Sequence, residues 1–266
     1  DFINNTAVYR GGAIYSEGTV DVKDCVFDSN DITFRTANDD NGGAAIYNLR
    51  GILLIKDSKI TNDLKDIVIR DGNSGDLLVG AVVTSGETII DNVYLANNTG
   101  SWGGAISSVG YLNPDDYVLS VLNSKFEGNN ATFGGAIFVE SSNLDVRNCT
   151  FENNRGVGVG SSGTSDTQGG AIVIFPGDSH AEIIDSTFIG NSANLGGAVS
   201  FPGVASDTFV DNCTFVDNSA VNGGAVYFFS EEGSLSVSNS DFVGNDASAW
   251  GGAICVSDNA SITITE

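Results

Sequence analysis

The amino-acid sequence predicts an all-β fold, a single-stranded parallel β-helix of about nine coils. Three observations predict it. Aromatic residues recur at an interval of 27 between Phe188, Phe215 and Phe242. An asparagine stands three residues after each of them, and a Gly-Gly-Ala segment follows. A repeat of this length indicates units that cannot bury an apolar face alone and therefore stack on one another.

Each unit can be aligned on one apolar anchor residue. The nine anchors are Phe2, Phe27, Ile60, Tyr94, Phe126, Phe151, Phe188, Phe215 and Phe242. Three positions later stands the asparagine column, which consists of Asn5, Asn30, Asp63, Asn97, Asn129, Asn154, Asn191, Asn218 and Asn245. Identical side chains in stacked coils lie ~4.8 Å apart. We therefore expect a ladder of amide hydrogen bonds along this column.

Three further columns precede the anchor in units two to nine. β-Branched residues stand five positions upstream, namely Val22, Ile55, Ile89, Val121, Val146, Ile183, Val210 and Val237. Asp or Asn stands three upstream, namely Asp24, Asp57, Asp91, Asn123, Asn148, Asp185, Asn212 and Asn239. Small residues stand two upstream, namely Cys25, Ser58, Asn92, Ser124, Cys149, Ser186, Cys213 and Ser240. Aliphatic residues at alternating positions with Asx punctuation predict short strands around an interior stack.

The Gly-Gly-Ala segment opens another strand of each unit, and in the third unit it reads Val79-Gly80-Ala81. The residues after this alanine are aliphatic, namely Ile14, Ala45, Val82, Ile106, Ile137, Ile172, Val199, Val226 and Ile254. This column predicts a second core-facing stack. The glycine pair predicts a tight backbone turn before it.

The repeat continues without a linker and predicts a single β-helix domain over 1–266. Insertions interrupt it near 31–41, 64–78, 108–117 and 155–168. Insertions on one face of a solenoid usually carry its binding site. The first two lie in adjacent units and are expected to form one lobe. Because the sequence starts and stops within the repeat, we expect it to be a segment of a longer surface protein.

The chain is strongly acidic, with 11 basic and 34 acidic residues and a net charge of −23. Such a charge repels phosphate backbones and anionic membranes, which excludes nucleic-acid binding as a function class. The sequence has no apolar stretch long enough to insert into a membrane. The charge itself is explained by a solvated outer surface, and the alternative is affinity for cations or a basic partner surface.

The four cysteines predict free thiols rather than disulfides. Cys25, Cys149 and Cys213 share one column in non-adjacent coils, so they lie ~10 Å or more apart. This distance is too great for a disulfide. Cys255 belongs to a different strand.

Candidate ligand residues fall in the lobe and beside the glycine pairs. Asp39 and Asp40 lie in the first insertion. In the second, Asp71, Asn73 and Asp76 alternate within a glycine-containing turn, a pattern of oxygen ligands that suits Ca²⁺. A solvated acidic loop is the alternative, and no other cofactor is predicted.

Two tryptophans occupy an equivalent position. Trp102 and Trp250 each precede a Gly-Gly pair, in a column whose other members are variable and therefore expected to point outward. Outward aromatic side chains can stack on sugar rings, and the alternative is that they shield a neighbouring coil.

Six Asn-x-Ser/Thr sequons occur in the sequence. Three of them, at Asn97, Asn148 and Asn212, fall in columns that the repeat explains. The better glycan acceptors are therefore Asn4, Asn130 and Asn259.

The sequence contains no residue motif that is typical of a catalytic site. The one histidine, His180, stands between Ser179 and Ala181 without the flanking glycines of pectin-type hydrolases. Paired carboxylates are expected by accident in so acidic a chain. We therefore expect no enzymatic activity, and the alternative is a polysaccharide lyase or hydrolase of the β-helix type.

The combination of Phe-x-x-Asn with Gly-Gly-Ala-Ile is similar to the repeat of chlamydial polymorphic outer-membrane proteins. The stretch Asp1-Phe2-Ile3-Asn4-Asn5-Thr6-Ala7 with Gly11-Gly12-Ala13-Ile14-Tyr15 resembles the adhesin-like surface proteins of methanogenic archaea. The resemblance implies a right-handed β-helix on a large secreted protein at the cell surface. It implies attachment to cells or glycans and supplies no catalytic residues.

The sequence thus predicts a non-catalytic, extracellular β-helix whose partner is a glycan or a cell-surface protein. Besides the enzyme, the alternative is a subunit of a filament that associates end to end.

Overall fold

The computed structural model describes residues 1–33, 42–63, 80–110, 117–158, 167–175, 179–203, 207–231, 233–257 and 260–266. In this part of the chain the regular elements are β-strands, and the paired strands run parallel. The predicted all-β, parallel β-helical fold is confirmed. Within the described residues, no helix is long and apolar enough to cross a membrane.

Three sheets of nine strands each form the faces of the solenoid. Sheet A carries the anchors and consists of β1 (Phe2–Ile3), β5 (Val26–Asp28), β9 (Lys59–Thr61), β12 (Tyr94–Ala96), β15 (Lys125–Glu127), β19 (Thr150–Glu152), β23 (Thr187–Ile189), β26 (Thr214–Val216) and β30 (Asp241–Val243). Sheet B follows the glycine pairs and consists of β3 (Ile14–Ser16), β7 (Ile46–Asn48), β10 (Val82–Thr84), β13 (Ile106–Val109), β17 (Ile137–Glu140), β21 (Ile172–Ile174), β24 (Val199–Pro202), β28 (Val226–Phe229) and β32 (Ile254–Ser257).

Sheet C precedes the anchors and consists of β4 (Val20–Lys23), β8 (Leu53–Lys56), β11 (Thr88–Asp91), β14 (Val118–Leu122), β18 (Asn143–Arg147), β22 (Ala181–Ile184), β25 (Thr208–Asp211), β29 (Ser234–Ser238) and β33 (Ser261–Thr265). Short strands between sheets A and B form pairs, namely β2 (Thr6–Ala7) with β6 (Asp31–Ile32), β16 (Asn130–Ala131) with β20 (Arg155–Gly156), and β27 (Ser219–Asn222) with β31 (Asp246–Trp250). Each coil therefore runs from sheet A through a short segment to sheet B and then to sheet C. Eight complete turns separate Phe2 from Phe242.

The core is built by columns of side chains that point inward from the three sheets. In sheet A the phenyl rings stack face to face, with centroids 4.7 Å apart for Phe126 and Phe151 and 4.8 Å apart for Phe151 and Phe188. Aliphatic residues of sheets B and C complete the same buried cluster. Each buried large side chain contributes about 1.5–3 kcal/mol, so the stacked columns supply the main stabilisation.

The corner between sheets C and A is made by residues with a left-handed backbone. Their φ angles lie between 48° and 54°, and the residues are Asp24, Asp57, Asn92, Asn123, Asn148, Asp185, Asn212 and Asn239. Asn and Asp adopt this region more readily than other non-glycine residues. The chemistry of the corner therefore explains the predicted Asp/Asn column, although in coil four its member is Asn92 and not Asp91.

Coil four is shifted by one residue from the sequence alignment. Leu95 pairs with Ile60 and with Phe126, so the anchor is Leu95 and not Tyr94. The reason is that the tyrosine hydroxyl requires a partner, and Tyr94 points outward and donates to Glu127 at 3.0 Å. The shift applies to every column of this coil. Its column members become Ile90, Asn92, Val93 and Asn98, in place of Ile89, Asp91, Asn92 and Asn97.

Coil two contains a second shift. Ile46 pairs with Ile14 and Val82, so Ile46 and not Ala45 continues the core column of sheet B. Gly43 has a φ of 63° and Gly11 a φ of 60°, which makes them equivalent turn residues. Ala44 therefore occupies the place of the second glycine. The four predicted insertions fall mostly outside the described residues.

Candidate functional site

The asparagine column binds neighbouring coils together and leaves little for a ligand. Asn191 is a typical member: its Oδ1 accepts hydrogen bonds from the backbone N–H and the Nδ2 of Asn154, at 2.9 and 3.0 Å. Its own Nδ2 donates to the carbonyl of Phe151 at 3.0 Å. Asn154 and Asn191 are fully buried. These contacts give the column a structural role.

A second internal column consists of hydroxyls and thiols, with Val93 as its member in coil four. The backbone N–H of Cys149 donates to Ser186 Oγ at 3.1 Å, and that of Cys213 donates to Ser240 Oγ at 3.0 Å. All four cysteines are free. Burial raises the pKa of both Cys149 and Cys213 to about 12. The buried thiols are therefore packing groups. The backbone N–H of Ser124, for example, donates a hydrogen bond to Cys149 Sγ at 3.4 Å.

An open groove lies outside this column, along the corner between sheets C and A, in coils two to five. Its volume is about 510 Å³. The lining residues are Asp24, Cys25, Val26, Asp57, Ser58, Lys59, Asn92, Val93, Tyr94, Asn123 and Lys125. Ser58 and Val93 are buried and form its floor. The corner residues form one edge and the first residues of sheet A the other. We call this the corner groove.

The far end of the corner groove is held by a salt-bridge network. Lys125 Nζ lies 2.8 Å from Glu127 Oε2 and 2.9 Å from Glu152 Oε2. These hydrogen bonds raise the pKa of Lys125, and the ammonium group lowers the pKa of Glu127. Burial, together with the hydrogen bond to Glu127, raises the pKa of Tyr94. The charge of Lys125 is therefore largely neutralised by its own neighbours.

In coil three, the corner groove carries a positive charge that is not engaged in a salt bridge, unlike that of Lys125. Lys59 is exposed, and its Nζ lies 5.8 Å from the centroid of the Tyr94 ring. Asp57 Oδ1 accepts a hydrogen bond from Asn92 Nδ2 at 2.8 Å. A cation, an aromatic ring, a carboxylate and an amide are thus within one coil of each other. Such a set is suited to polar ligands.

The two predicted ligand-binding tryptophans lie in one column but five coils apart, about 24 Å at the strand spacing. Trp250 is 69% exposed. Trp102 is half-buried, and its ring centroid lies 4.7 Å from that of Phe138 and 5.9 Å from that of Phe175. The structure therefore does not bring the two rings together. The shielding alternative fits Trp102, and the stacking alternative fits only Trp250.

Trp102 belongs to a second apolar cluster on the outer face of sheet B. Its buried members are Tyr47, Val83, Val109, Phe138 and Val173. This cluster was not predicted from the sequence. The available signal was the uninterrupted apolar run Ile172-Val173-Ile174, because a strand buried on both faces lacks alternation.

The predicted metal ligands and acidic lobe residues lie outside the described part of the chain. These are Asp39, Asp40, Asp71, Asn73 and Asp76. Among the residues that the structure describes, no group of three or more His, Cys, Asp and Glu side chains is arranged to hold a metal ion. The calcium site stays a prediction.

The predicted glycan acceptors differ in accessibility. Asn4 is exposed with a φ of 55°. Asn130 is half-buried, and its Nδ2 donates to the carbonyl of Gly128 at 3.1 Å. Asn259 lies outside the described residues. Asn97 is exposed and outside the asparagine column, contrary to the expectation, so its sequon joins the candidates.

His180 lies beside carboxylates and an aromatic ring. Its Nε2 is 3.5 Å from Glu182 Oε1, and its ring centroid is 5.6 Å from that of Phe209. Glu182 also forms a salt bridge with Arg147, whose Nε lies 2.7 Å from Asp145 Oδ1. These contacts form a surface network of charges. That the chain is not an enzyme stays a prediction.

The lysines around the corner groove were also not predicted as binding residues from the sequence. Lys23 and Lys56 end neighbouring strands of sheet C and pair in register. They immediately precede Asp24 and Asp57 of the groove edge. The sequence does show a lysine four positions before each of two successive anchors. Binding was expected in the insertions, however, and these lysines lie outside them.

Comparison with known proteins supports the type of repeat. Residues 1–17 and 212–228 match the model of the Chlamydia polymorphic membrane protein repeat. The first segment covers β1 to β3, and the second runs from the corner at Asn212 to β28. Both contain the anchor, the asparagine and the glycine pair. No curated protein and no solved structure shows significant similarity to the chain.

Proposed function

We propose that this chain is the β-helical body of an adhesin-like protein of the cell surface, which attaches to cells or glycans without catalysis. The observation that carries the proposal is the match of two distant coils to the polymorphic membrane protein repeat. The same columns recur in the coils between them. Repeats of this type belong to surface proteins, and a solenoid with polar outer columns suits a long exposed body.

The acidic balance and the free thiols support a surface protein of a methanogenic archaeon within this class. The protein is expected to be extracellular. Its partner is expected to be a glycan or a cell-surface protein, and the corner groove and Trp250 are the described features that suit a polar or ring-shaped ligand.

The experiment is an adhesion assay on the purified chain. Beads that carry the protein at fixed density are incubated with cell-wall preparations and with plant, microbial and host polysaccharides, with and without Ca²⁺. Control beads carry an unrelated globular protein of similar net charge. Retention above the control, without release of reducing or unsaturated sugar ends, is the expected result.

Two outcomes would contradict the proposal. Release of new sugar ends from any polymer would support the polysaccharide lyase or hydrolase instead. A mass that rises with concentration in light scattering, without retention on any surface, would support the filament subunit.

A further inference from the structure

Half of the basic residues that the structure describes lie at one corner. The described residues include eight Lys and Arg side chains, and four of them line or flank the corner groove. These are Lys23, Lys56, Lys59 and Lys125. The corner groove therefore combines these cations with the carboxylates of Asp24 and Asp57, on a chain whose net charge is −23.

The pairing of Lys23 with Lys56 does not stabilise the sheet. Lys23 and Lys56 are direct neighbours on adjacent strands, a pairing of like charges that destabilises a sheet. Within the described chain, Lys23, Lys56 and Lys59 form no ion pair. Asp91 is the neighbour of Lys56 in the next strand, but its carboxylate accepts a hydrogen bond from Asn123 at 2.8 Å. Three available ammonium groups at a groove indicate an anionic ligand.

The corner groove also holds acceptors. Asp24 and Asp57 line its edge, and the amides of Asn92 and Asn123 continue the same edge in the following coils. These groups repeat at the strand spacing of ~4.8 Å along the solenoid axis. A carboxylate on the protein accepts hydrogen bonds from hydroxyl groups and repels anions. The ligand must therefore offer hydroxyl donors and negative charge together, in a chain that follows the axis.

We propose that the corner groove binds a carboxylated polysaccharide, a chain of uronic-acid sugars, along the solenoid axis. Sugar hydroxyls donate to Asp24 and Asp57, and sugar carboxylates pair with Lys56 and Lys59. A neutral glycan would leave the lysines unused. An acidic peptide carries the same negative charge but lacks the row of hydroxyl donors. The inference rests on the proposed attachment function and names its ligand class.

The test compares ligands that differ in one feature. Binding of a β-1,4-linked mannuronate hexasaccharide is measured by titration calorimetry against the mannose hexasaccharide of the same linkage and against a hexaglutamate peptide. The variant Lys59→Gln removes one groove charge, and Arg155→Gln removes one exposed charge remote from the groove. Circular dichroism verifies that both variants fold, which is expected since both side chains are exposed.

The mannuronate chain is expected to bind, with an affinity that falls as salt is added. Lys59→Gln should weaken binding about tenfold, which is the value of one charge-assisted hydrogen bond, and Arg155→Gln should leave it within about twofold. Equal binding of the neutral hexasaccharide, preferential binding of hexaglutamate, absence of binding, or equal losses in the two variants would each overturn the inference. If bead adhesion persists in such a case, the proposed function stands and only its ligand is wrong.

Discussion

At the scale of single residues, one carboxyl group interrupts the asparagine column. Asp63 is fully buried, and its Oδ1 accepts the backbone N–H of Asn30 at 2.5 Å. In the next coil the Nδ2 of Asn98 donates to the carbonyl of Ile60 at 3.2 Å. A carboxylate has no N–H to give the equivalent carbonyl, which is that of Phe27 in the preceding coil.

The variant Asp63→Asn should therefore stabilise the protein by about 1–3 kcal/mol at pH 7, because an asparagine Nδ2 in this column donates two hydrogen bonds, as that of Asn154 does. Urea unfolding at pH 7 measures the difference.

The reciprocal variant Asn191→Asp is the control. It removes the donor to Phe151 from a fully buried position and should cost about 1–3 kcal/mol at pH 7. If Asn191→Asp is costly but Asp63→Asn brings no gain, a charge interaction of Asp63 outweighs the missing donor.

The buried thiols make a second prediction at this scale. A pKa of about 12 leaves Cys149 and Cys213 with about a thousandfold less thiolate than an ordinary cysteine at pH 8. Cys255 is only half-buried, although burial also raises its pKa. Iodoacetamide at pH 8 should modify Cys255 in the native protein and Cys149 and Cys213 only in urea. Peptide mass spectrometry locates the adducts, and rapid native modification of Cys149 would show that the coil opens locally.

At the scale of one coil, the second glycine of each pair fixes how closely neighbouring turns approach. A Cβ at Gly135 would lie 2.1 Å from the carbonyl oxygen of Gly170 and 2.7 Å from the backbone of Arg155. Neither contact can be relieved by a side-chain rotation, because both involve backbone atoms. At Gly18, by contrast, an added Cβ meets no atom within 4 Å.

Gly135→Ala should therefore destabilise the protein by about 1–3 kcal/mol or more, the usual cost of overpacking. Gly18→Ala is the matched control and should be neutral or slightly stabilising. Thermal unfolding followed by circular dichroism measures both. A neutral Gly135→Ala would mean that coil five can separate from coil six without loss of packing.

The two register shifts show what the repeat reveals and what it hides. Column statistics identified the strand that contains Tyr94 but favoured its aromatic ring over Leu95 as the inward residue. The decisive fact is that the tyrosine hydroxyl bonds to Glu127, a residue of the next coil. Such a contact between coils becomes visible only after the coils have been aligned. The same is true of Ile46, which an alanine-rich turn displaced by one position.

At the scale of the whole molecule, the sequence predicts the fold well because each column obeys one physical rule repeated in nine coils. Core, corner and turn columns follow from apolar burial, left-handed Asx backbone and close glycine approach. The candidate site obeys no such rule. The corner groove exists where Lys23, Lys56 and Lys59 come from two successive coils, and unequal insertions between coils conceal that proximity in the sequence. Binding was therefore expected in the insertions, on Asp39, Asp40, Asp71, Asn73 and Asp76.

The last prediction follows from the net charge of −23, because this charge determines how the stability of the entire solenoid responds to salt. Stacked coils bring carboxylates of successive turns within a Debye length, which is about 30 Å at 0.01 M salt and about 10 Å at 0.1 M. Screening should therefore raise the free energy of unfolding by on the order of 1 kcal/mol between these concentrations of NaCl. Urea unfolding at constant pH measures the change, and a loss of stability with salt would contradict it.

Calcium separates screening from a specific site in the same experiment. Screening alone gives equal stabilisation by NaCl and CaCl₂ at matched ionic strength. A calcium site at Asp71, Asn73 and Asp76 adds a saturable gain with CaCl₂, because a ligand that binds only the folded state stabilises it. That gain should disappear in Asp71→Asn/Asp76→Asn, whereas the response to NaCl should remain. A gain from calcium that survives in this variant would place the cation elsewhere on the acidic surface.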